Sequence, residues 1–152
     1  MKIKLDAGAY LPTRAHPTDA GLDLYSTKEK VIFPVYTTLC RGREVIEVVP
    51  NYETFDTGVH IALPHGYYGK IESKSGLNVN HSVVSCGGVI DEGYTGSIKV
   101  KIYNFGLKPY EVHVGDKIAQ LIIQPYEVPD MEVVTELDET DRGNNGFGST
   151  GR

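Results

Sequence analysis

Short apolar runs with a period of two dominate this sequence, and helical periodicity is almost absent. From residue 98 to residue 103, apolar and polar side chains alternate strictly, as expected of a strand with one buried face. Gly, Pro, Asn and Asp separate the runs at the close spacing typical of β-sandwiches and barrels. The pattern predicts an all-β fold, a jelly-roll-like antiparallel β-barrel, with one short helical turn at residues 75–80. The predicted strands are residues 2–5, 22–25, 31–33, 45–49, 59–63, 67–71, 83–84, 89–90, 97–103, 110–114, 118–125 and 132–134.

Composition narrows the class of protein. We expect one domain, residues 1–152, in which residues 138–152 form a flexible glycine-rich arm. No signal peptide and no membrane span is expected, because no apolar stretch reaches the roughly 18–20 residues that a bilayer requires. Cys40 and Cys86 are too few for a disulfide framework, so we expect a cytoplasmic protein. A net charge of −5 without a Lys/Arg stripe argues against nucleic-acid binding.

The segment 88–96 is the strongest candidate for chemistry. Two apolar β-formers, Val89 and Ile90, lead to Asp91, and a glycine-flanked stretch then turns the chain back. We interpret the segment as the tip of a β-hairpin that presents a carboxylate and the ring of Tyr94. Such tips are exposed but rigidly mounted, which suits a reacting group. The alternative is that Asp91 only begins an Asx turn.

Two further segments carry polar groups suited to an anion. Lys74, Ser75 and Gly76 open the predicted helical turn, where a cation, a hydroxyl and a bare backbone N–H suit a phosphate. The alternative is a Ser75 helix cap beside a solvated lysine. Gln120 lies within an apolar run, and a buried amide needs partners. It either ties down backbone or points into a site, and both alternatives stay open.

The glycine-rich C-terminus has two interpretations. Its composition is typical of a disordered tail. A lone Phe147 between glycines also suits a flap that lays a flat ring on a flat ligand, while Ser149 and Thr150 donate to phosphate oxygens. The five histidines and two cysteines lack zinc-ligand spacing, so a protein-held zinc site is not expected.

Five segments together resemble the five motifs of the trimeric dUTPase (dUTP pyrophosphatase) family. They occur in the family order and span nearly the whole chain. The segments are AGLDLYS (20–26), SKSGL (73–77), GVIDEGYTG (88–96), GDKIAQL (115–121) and RGNNGFGSTG (142–151).

The resemblance implies a homotrimer of jelly-roll subunits, with active sites built from several chains and closed by an exchanged C-terminal arm. It implies Mg²⁺-assisted hydrolysis of dUTP to dUMP and pyrophosphate. Asp91 would be the general base that deprotonates the water attacking the α-phosphorus. Asp23 would lie near the Mg²⁺, through water.

The resemblance also implies a set of substrate-binding residues. Tyr94 would pack under the deoxyribose and leave no room for a 2′-hydroxyl. Ser85 stands where many relatives have Asn, so uracil would be read there by backbone. The other implied contacts are Val89, Ile90 and Lys99 to the nucleoside, Lys74, Ser75, Gly76 and Gln120 to phosphates, Phe147 to uracil, and Arg142, Gly148, Ser149 and Thr150 to the γ-phosphate.

The chain departs from the family pattern in several places. Lys74 replaces the usual Arg, which keeps the charge but loses bidentate geometry. Asn145 replaces a glycine, and an extra hairpin is expected near residues 38–52. A dCTP deaminase of the same fold is one alternative, although Lys101 stands roughly where its catalytic glutamate would be. The other is a dUTPase-like module that binds a regulatory protein through the extra segment.

Overall fold

The computed structural model describes residues 1–34, 38–48 and 50–144. This part of the chain consists mostly of β-strands and loops, with one short helix, α1 (Ser75–His81). The strands are β1 (Lys2–Leu5), β2 (Gly21–Tyr25), β3 (Lys30–Ile32), β4 (Thr38–Arg41), β5 (Glu44–Val48), β6 (Tyr52–Asp56), β7 (Val59–Ala62), β8 (Tyr67–Glu72), β9 (Val83–Cys86), β10 (Val89–Ile90), β11 (Lys99–Asn104), β12 (Tyr110–Val112) and β13 (Lys117–Pro125).

The described strands form five antiparallel sheets. One has four strands in the order β10-β8-β13-β2, and one has three in the order β6-β11-β9. Three two-stranded sheets pair β1 with β7, β3 with β12, and β4 with β5. The prediction of an all-β fold is confirmed. The prediction of a barrel is wrong for the described residues. Their strands form five separate sheets, and strand pairing does not continue from one sheet to the next to close a barrel.

The hairpin predicted from residue 88 to residue 103 is also wrong. Val89 and Ile90 pair with Lys70 and Gly69 of β8, whereas β11 pairs with β6 and β9. The intervening chain therefore crosses from the four-stranded sheet to the three-stranded sheet. Alternation in the sequence identifies the buried face of a strand, but it does not specify which strand lies beside it.

The two larger sheets share one hydrophobic core. Leu24 and Leu121 from the four-stranded sheet belong to the same buried cluster as Val100 and Ile102 from the three-stranded sheet. The inward face of β11 ends at Asn104, which is fully buried. Its side-chain nitrogen donates to the carbonyls of residues 32 and 108, each at 2.8 Å, so its burial leaves no unpaired N–H there.

Several local predictions have clear outcomes. The helical turn predicted at 75–80 is confirmed, and so is a hairpin in the extra segment, formed by β4 and β5. The strand predicted at 132–134 is wrong, since those residues pair with no strand and Val133 is 99% exposed. Among the described residues, no helix combines the length and the apolar character that a membrane crossing requires.

Candidate active site

A buried carboxylate between two lysines marks one end of the four-stranded sheet. The Asp23 side chain on β2 is only 7% exposed. Lys117 Nζ lies 2.7 Å from its Oδ2, and Lys74 Nζ pairs with its Oδ1. We call Asp23, Lys74 and Lys117 the lysine–aspartate cluster. Two ammonium groups against one carboxylate leave a net positive charge, which favours binding of an anion.

The ion pairs keep Asp23 charged. Burial raises the pKa of the Asp23 carboxyl. Hydrogen bonds from Lys117 and Lys74 lower this pKa by more than burial raises it, so the pKa lies below its ordinary value. Asp23 is therefore a carboxylate at neutral pH.

Gln120 holds the chain segment that carries Lys74. The register places Gln120 of β13 between Asp23 of β2 and Glu72 of β8. Its side-chain nitrogen donates to the carbonyl of Ser73 at 3.1 Å. This bond ties down backbone, as one of the two sequence interpretations expects, and the half-buried side chain leaves contact with a ligand, the other interpretation, as a prediction.

The start of α1 lies next to the lysine–aspartate cluster. Lys74 occupies the N-cap position in an extended conformation, and no side chain caps the helix. The alternative in which Ser75 caps this helix is therefore wrong. Ser75 and Gly76 are exposed, and a Cβ on Gly76 would meet no atom within 4 Å. Both residues therefore lie at an open surface beside a positively charged cluster.

Asp91 follows the other edge strand of the same sheet. We call residues 91–98, which cross to the next sheet, the Asp91 turn. The N–H of Tyr94 donates to the carbonyl of Asp91 at 3.0 Å, which closes its first bend. The Asp91 side chain is exposed and forms no hydrogen bond or ion pair with any described residue. An Asx turn requires such a bond, so that alternative is not formed.

Tyr94 is fixed by its own turn. Its hydroxyl donates to the carbonyl of Ser97 at 3.0 Å, and the residue is 42% exposed. A Cβ on Gly96 would lie only 2.5 Å from that hydroxyl oxygen. Glycine at position 96 therefore leaves the space in which the tyrosine ring lies.

The other predicted contact residues are distributed as follows. Ser85 is 4% exposed, and its hydroxyl donates to the carbonyl of Ile118, so it joins β9 to β13. Val89 is exposed, Ile90 is buried, and Lys99 is exposed opposite Asp56 of β6. Arg142 lies in the described part, in the segment after β13. Phe147, Gly148, Ser149 and Thr150 lie outside the described residues.

Within one chain, the Asp91 turn and the lysine–aspartate cluster lie far apart. Extending the register of β10 by one residue puts Asp91 level with Tyr68, whereas Asp23 and Gln120 lie level with Glu72. Those levels are about 13 Å apart along the strand, and three strand spacings add about 14 Å across the sheet. The separation is therefore on the order of 20 Å. The fold brings Asp23, Lys74 and Gln120 together and holds Asp91 and Tyr94 elsewhere.

Sequence reasoning missed two residues beside these groups. Lys117 lies in the segment 115–121, but its ion pair with Asp23 depends on the register of β13 against β2. Glu92 follows Asp91 and lines a cleft of ≈ 300 Å³ with Tyr68, Val89, Asp91 and Tyr126. No local pattern marks either contact, because each joins strands that are distant in the sequence.

The described residues do not form a metal site of their own. Within the ranges that the structure covers, no three His, Cys, Asp or Glu side chains come together to hold an ion. Both carboxylate oxygens of Asp23 already accept from ammonium groups. The donor set does not fit a metal bound directly by Asp23.

Comparison with known proteins identifies the family. A family model described as dUTPase matches residues 7–151. The deoxyuridine 5′-triphosphate nucleotidohydrolase of Mus musculus is 39% identical over 150 residues, which cover 99% of this chain and 83% of the relative. The enzyme of the same name from Corynebacterium glutamicum is 42% identical over 153 residues, covering 99% and 93%.

Solved structures agree. The dUTPase of Staphylococcus bacteriophage 80alpha, with dUPNHPP, superposes with a TM-score of 0.84 at 28% identity, covering 99% of this chain and 98% of that one. A variant dUTPase from phage phi11 of S. aureus, described for its coordination of a structural Mg(II) ion, has a TM-score of 0.73 at 26% identity, covering 89% and 96%. Fold and relatives together define an enzyme of the nucleotidohydrolase class. The chain belongs to the dUTPase family.

Proposed function

We propose that this chain hydrolyses dUTP to dUMP and pyrophosphate, with Asp91 as the general base. The observation that carries this proposal is the exposed Asp91 carboxylate, which no described residue binds through a hydrogen bond or an ion pair and which lies at the edge of a cleft. Such a carboxylate can accept a hydrogen bond from a water molecule and take its proton as the water attacks the α-phosphorus. Pyrophosphate is the leaving group. The rest of the task is positioning and charge neutralisation.

The lysine–aspartate cluster supplies the charge neutralisation. Lys74, Ser75, Gly76 and Gln120 contact the phosphates in this proposal. Lys74 turns from Asp23 to a phosphate oxygen when the nucleotide binds. Lys117 stays within 2.7 Å of Asp23, so the buried carboxylate keeps one ammonium partner after Lys74 has moved.

The active site is assembled from more than one chain. A separation on the order of 20 Å between Asp91 and Asp23 exceeds what one triphosphate spans. In a homotrimer with closed threefold symmetry, the Asp91 turn of one chain meets the lysine–aspartate cluster of another, which gives three sites.

The C-terminal segment supports exchange between chains. After β13, Val128, Met131, Val133 and Leu137 are 82%, 94%, 99% and 87% exposed. Large apolar side chains in one exposed segment mark a surface that another chain covers. Residues 138–152 then close over the site. Phe147 stacks on the uracil, and Arg142, Gly148, Ser149 and Thr150 contact the γ-phosphate.

The nucleoside is held at the Asp91 turn. Tyr94 packs under the deoxyribose, where its fixed ring leaves no room for a 2′-hydroxyl. The backbone of Val89 and Ile90, together with Lys99, holds the uracil and sugar. Buried Ser85 contributes through its backbone. Discrimination of this kind relies on space and on fixed donors and acceptors.

Mg²⁺ accompanies the substrate in this proposal. It typically takes most of its ligands from phosphate oxygens and water, with few protein carboxylates, and it neutralises phosphate charge. Asp23 remains the predicted residue for contact through a metal-bound water, since direct coordination does not fit its two ion pairs. The phi11 relative described with a structural Mg(II) ion supports a metal in this family.

We also place the enzyme in the cytoplasm. Cys86 is a free, exposed thiol, which is typical of a reducing compartment. One human relative is named as mitochondrial, so fractionation of the source cells is the test of this assignment.

The test of the reaction is pyrophosphate release from dUTP, dCTP, dTTP and UTP, each with and without Mg²⁺. We expect release from dUTP alone, stimulated by Mg²⁺. Equal pyrophosphate release from UTP and dUTP would show that Tyr94 does not exclude the 2′-hydroxyl. Ammonia release from dCTP would instead support a deaminase.

A second function is favoured by one observation. In the described part of the chain, β4 and β5 pair only with each other, so their hairpin belongs to none of the other sheets. A related phage dUTPase is described as controlling transfer of virulence genes. We propose that this hairpin contacts a regulatory protein. Replacing residues 38–48 with a short glycine linker should leave turnover unchanged, whereas lost turnover in a folded protein would assign the hairpin to the active site.

A further inference from the structure

The carboxylate of Glu92, next to Asp91, joins three groups from two other parts of the chain. Its Oε2 accepts from the N–H of Gly66 at 2.9 Å and from the hydroxyl of Tyr126 at 3.2 Å. Its Oε1 lies 3.0 Å from Nδ1 of His65. Residues 65 and 66 form the turn before β8, and Tyr126 follows β13. Glu92 therefore ties the Asp91 turn to both neighbouring elements.

The partners of Glu92 are themselves held in place. The N–H of Tyr126 donates to the carbonyl of Gly66 at 2.9 Å, which locks the two partners to each other. Gly66 has φ of +79°, a conformation that favours glycine, so its N–H direction is set by the turn. The ring of Tyr126 also packs edge-on against Tyr68, with centroids 6.2 Å apart. The groups that bind the Glu92 carboxylate are therefore held in place by contacts of their own.

On the side of β8, the described hydrogen bonds from the Asp91 turn are those of Glu92, whereas the other end of the turn is held through Thr95 by His60 and through Ser97 by Asp56. The ladder of β10 ends at Ile90, one residue before Asp91. Asp91 contributes no side-chain bond with a described residue. Hydrogen bonds to a charged carboxylate are shorter and stronger than neutral ones. The N–H of Gly66, followed by His65 and Tyr126, lowers the pKa of Glu92, so Glu92 is charged at neutral pH.

We infer that Glu92 is a positioning residue that fixes the direction of the Asp91 carboxylate by clamping its turn to Gly66 and Tyr126. The inference rests on the proposed role of Asp91 as the base. His65 adds little to this clamp, because its side chain is 98% exposed. A displacement of about 1 Å at a reacting group can cost 100-fold in rate, so loss of the clamp lowers turnover before it lowers binding.

The first test compares Glu92→Ala with a matched control, Glu111→Ala, at an exposed glutamate on β12. We expect Glu92→Ala to lower kcat roughly 10-fold to 100-fold and to leave KM within about twofold. Glu92→Gln keeps an acceptor for the N–H of Gly66 and should restore most of kcat. Tyr126→Phe removes one bond and should lower kcat by about threefold. A folded Glu92→Ala enzyme with wild-type kcat would overturn the inference.

The second test measures Glu92→Ala in an Asp91→Asn background. If Glu92 acts through Asp91, the second substitution causes no further loss, because residues that act as a unit are non-additive. An equal loss in both backgrounds would show that Glu92 acts independently and would overturn the inference. If Asp91→Asn alone retains turnover, the proposed base is wrong, and that outcome is distinct from a failure of Glu92. Should Glu92→Ala fail to fold, Tyr126→Phe in the same two backgrounds decides the question: a loss confined to the background that keeps Asp91 supports the inference, and an equal loss in both overturns it.

Discussion

Asp91 and Asp23 lie at opposite edges of the same four-stranded sheet. Asp91 follows β10, with an exposed carboxylate that no described residue binds. Asp23 lies on β2, 7% exposed and bound by two lysines. Two carboxylates in such different surroundings suit different tasks, one as a base and one as a charged anchor. Their separation leads to the assembly proposed for the active site.

Replacement of Asp91 by Asn should remove catalysis and preserve binding. The amide keeps the size of the side chain but cannot take a proton from water, so we expect kcat to fall roughly 100-fold to 10,000-fold. The dissociation constant for a non-hydrolysable dUTP analogue should change little. Single-turnover kinetics and equilibrium titration measure the two effects, and Asp130→Asn, on an exposed segment, is the control. Near-normal turnover would eliminate Asp91 as the base.

Truncation after Asp141 should separate folding from catalysis. The removed residues contribute no strand to the sheets that are described, so the shortened chain should keep its thermal midpoint and its oligomeric state. We expect kcat/KM to fall at least about 10-fold, because the γ-phosphate and uracil lose their covering groups. A chain that lacks only Arg152 is the control. Full activity of the shorter chain would show that the arm is dispensable.

The ion pairs of Asp23 should make stability depend on acidic pH. Burial raises its pKa but the hydrogen bonds of Lys117 and Lys74 lower it more, so the folded pKa lies below the ordinary value of 3.8. A carboxyl group whose pKa is lower in the folded state stabilises the fold at pH values above its pKa in the unfolded state. This stabilisation is lost as the pH falls through the pKa of the folded state. We expect the urea midpoints of wild type and Asp23→Asn to differ by a constant amount from pH 7 to about pH 5, and to converge below about pH 4. A constant difference down to pH 2 would contradict this.

His60 should give the opposite dependence near neutral pH. Its Nδ1 lies 2.8 Å from the carbonyl of Thr95, and its Nε2 lies 3.0 Å from the carboxylate of Asp6. Two acceptors favour the doubly protonated ring. Hydrogen bonds to Asp6 and then Thr95 raise the pKa of His60 above 6.5, although partial burial and, to a smaller extent, Lys4 lower it. This stabilisation is complete below the unfolded pKa and is lost as pH rises through the folded one.

Hydrogen exchange of the Asp91 turn measures the effect of His60. We expect protection in the wild type to decrease, relative to His60→Gln, as the pH rises above about 6.5. Substitution of His16, which lies in a different turn, is the control. Identical pH dependence in wild type and His60→Gln would show that this histidine does not hold the turn.

The sequence predicts strand content well and strand partners poorly. Alternation at Val100 and Ile102 correctly identifies the buried face of β11, and Ser75 to Asn80 correctly marks the helix. The strand β6 was missed because Phe55 is its only apolar residue that becomes buried. The apolar run at 132–134 predicts a strand, but no described strand pairs with it. Partner choice depends on tertiary packing, which a single strand does not encode.

The contacts of the candidate site likewise depend on tertiary packing and are only partly predictable from the sequence. Asp91, Lys74 and Gln120 carry chemistry that their own surroundings in the sequence suggest. Lys117 and Glu92 acquire their contacts only through the register of β13 and the turn at residue 66. The roles of Phe147 and its neighbours rest on the resemblance, because they lie outside the described residues.

Mixing two inactive variants tests the shared active site most directly. Asp91→Asn and Lys74→Met chains are unfolded together at equal concentration, refolded and assayed for pyrophosphate release from dUTP. If each site takes Asp91 and Lys74 from different chains, about a quarter of the sites regain both residues, and about a quarter of wild-type activity returns. The same variants mixed without unfolding should stay inactive. A refolded mixture with no activity, while wild type refolded in the same way is active, would contradict the account.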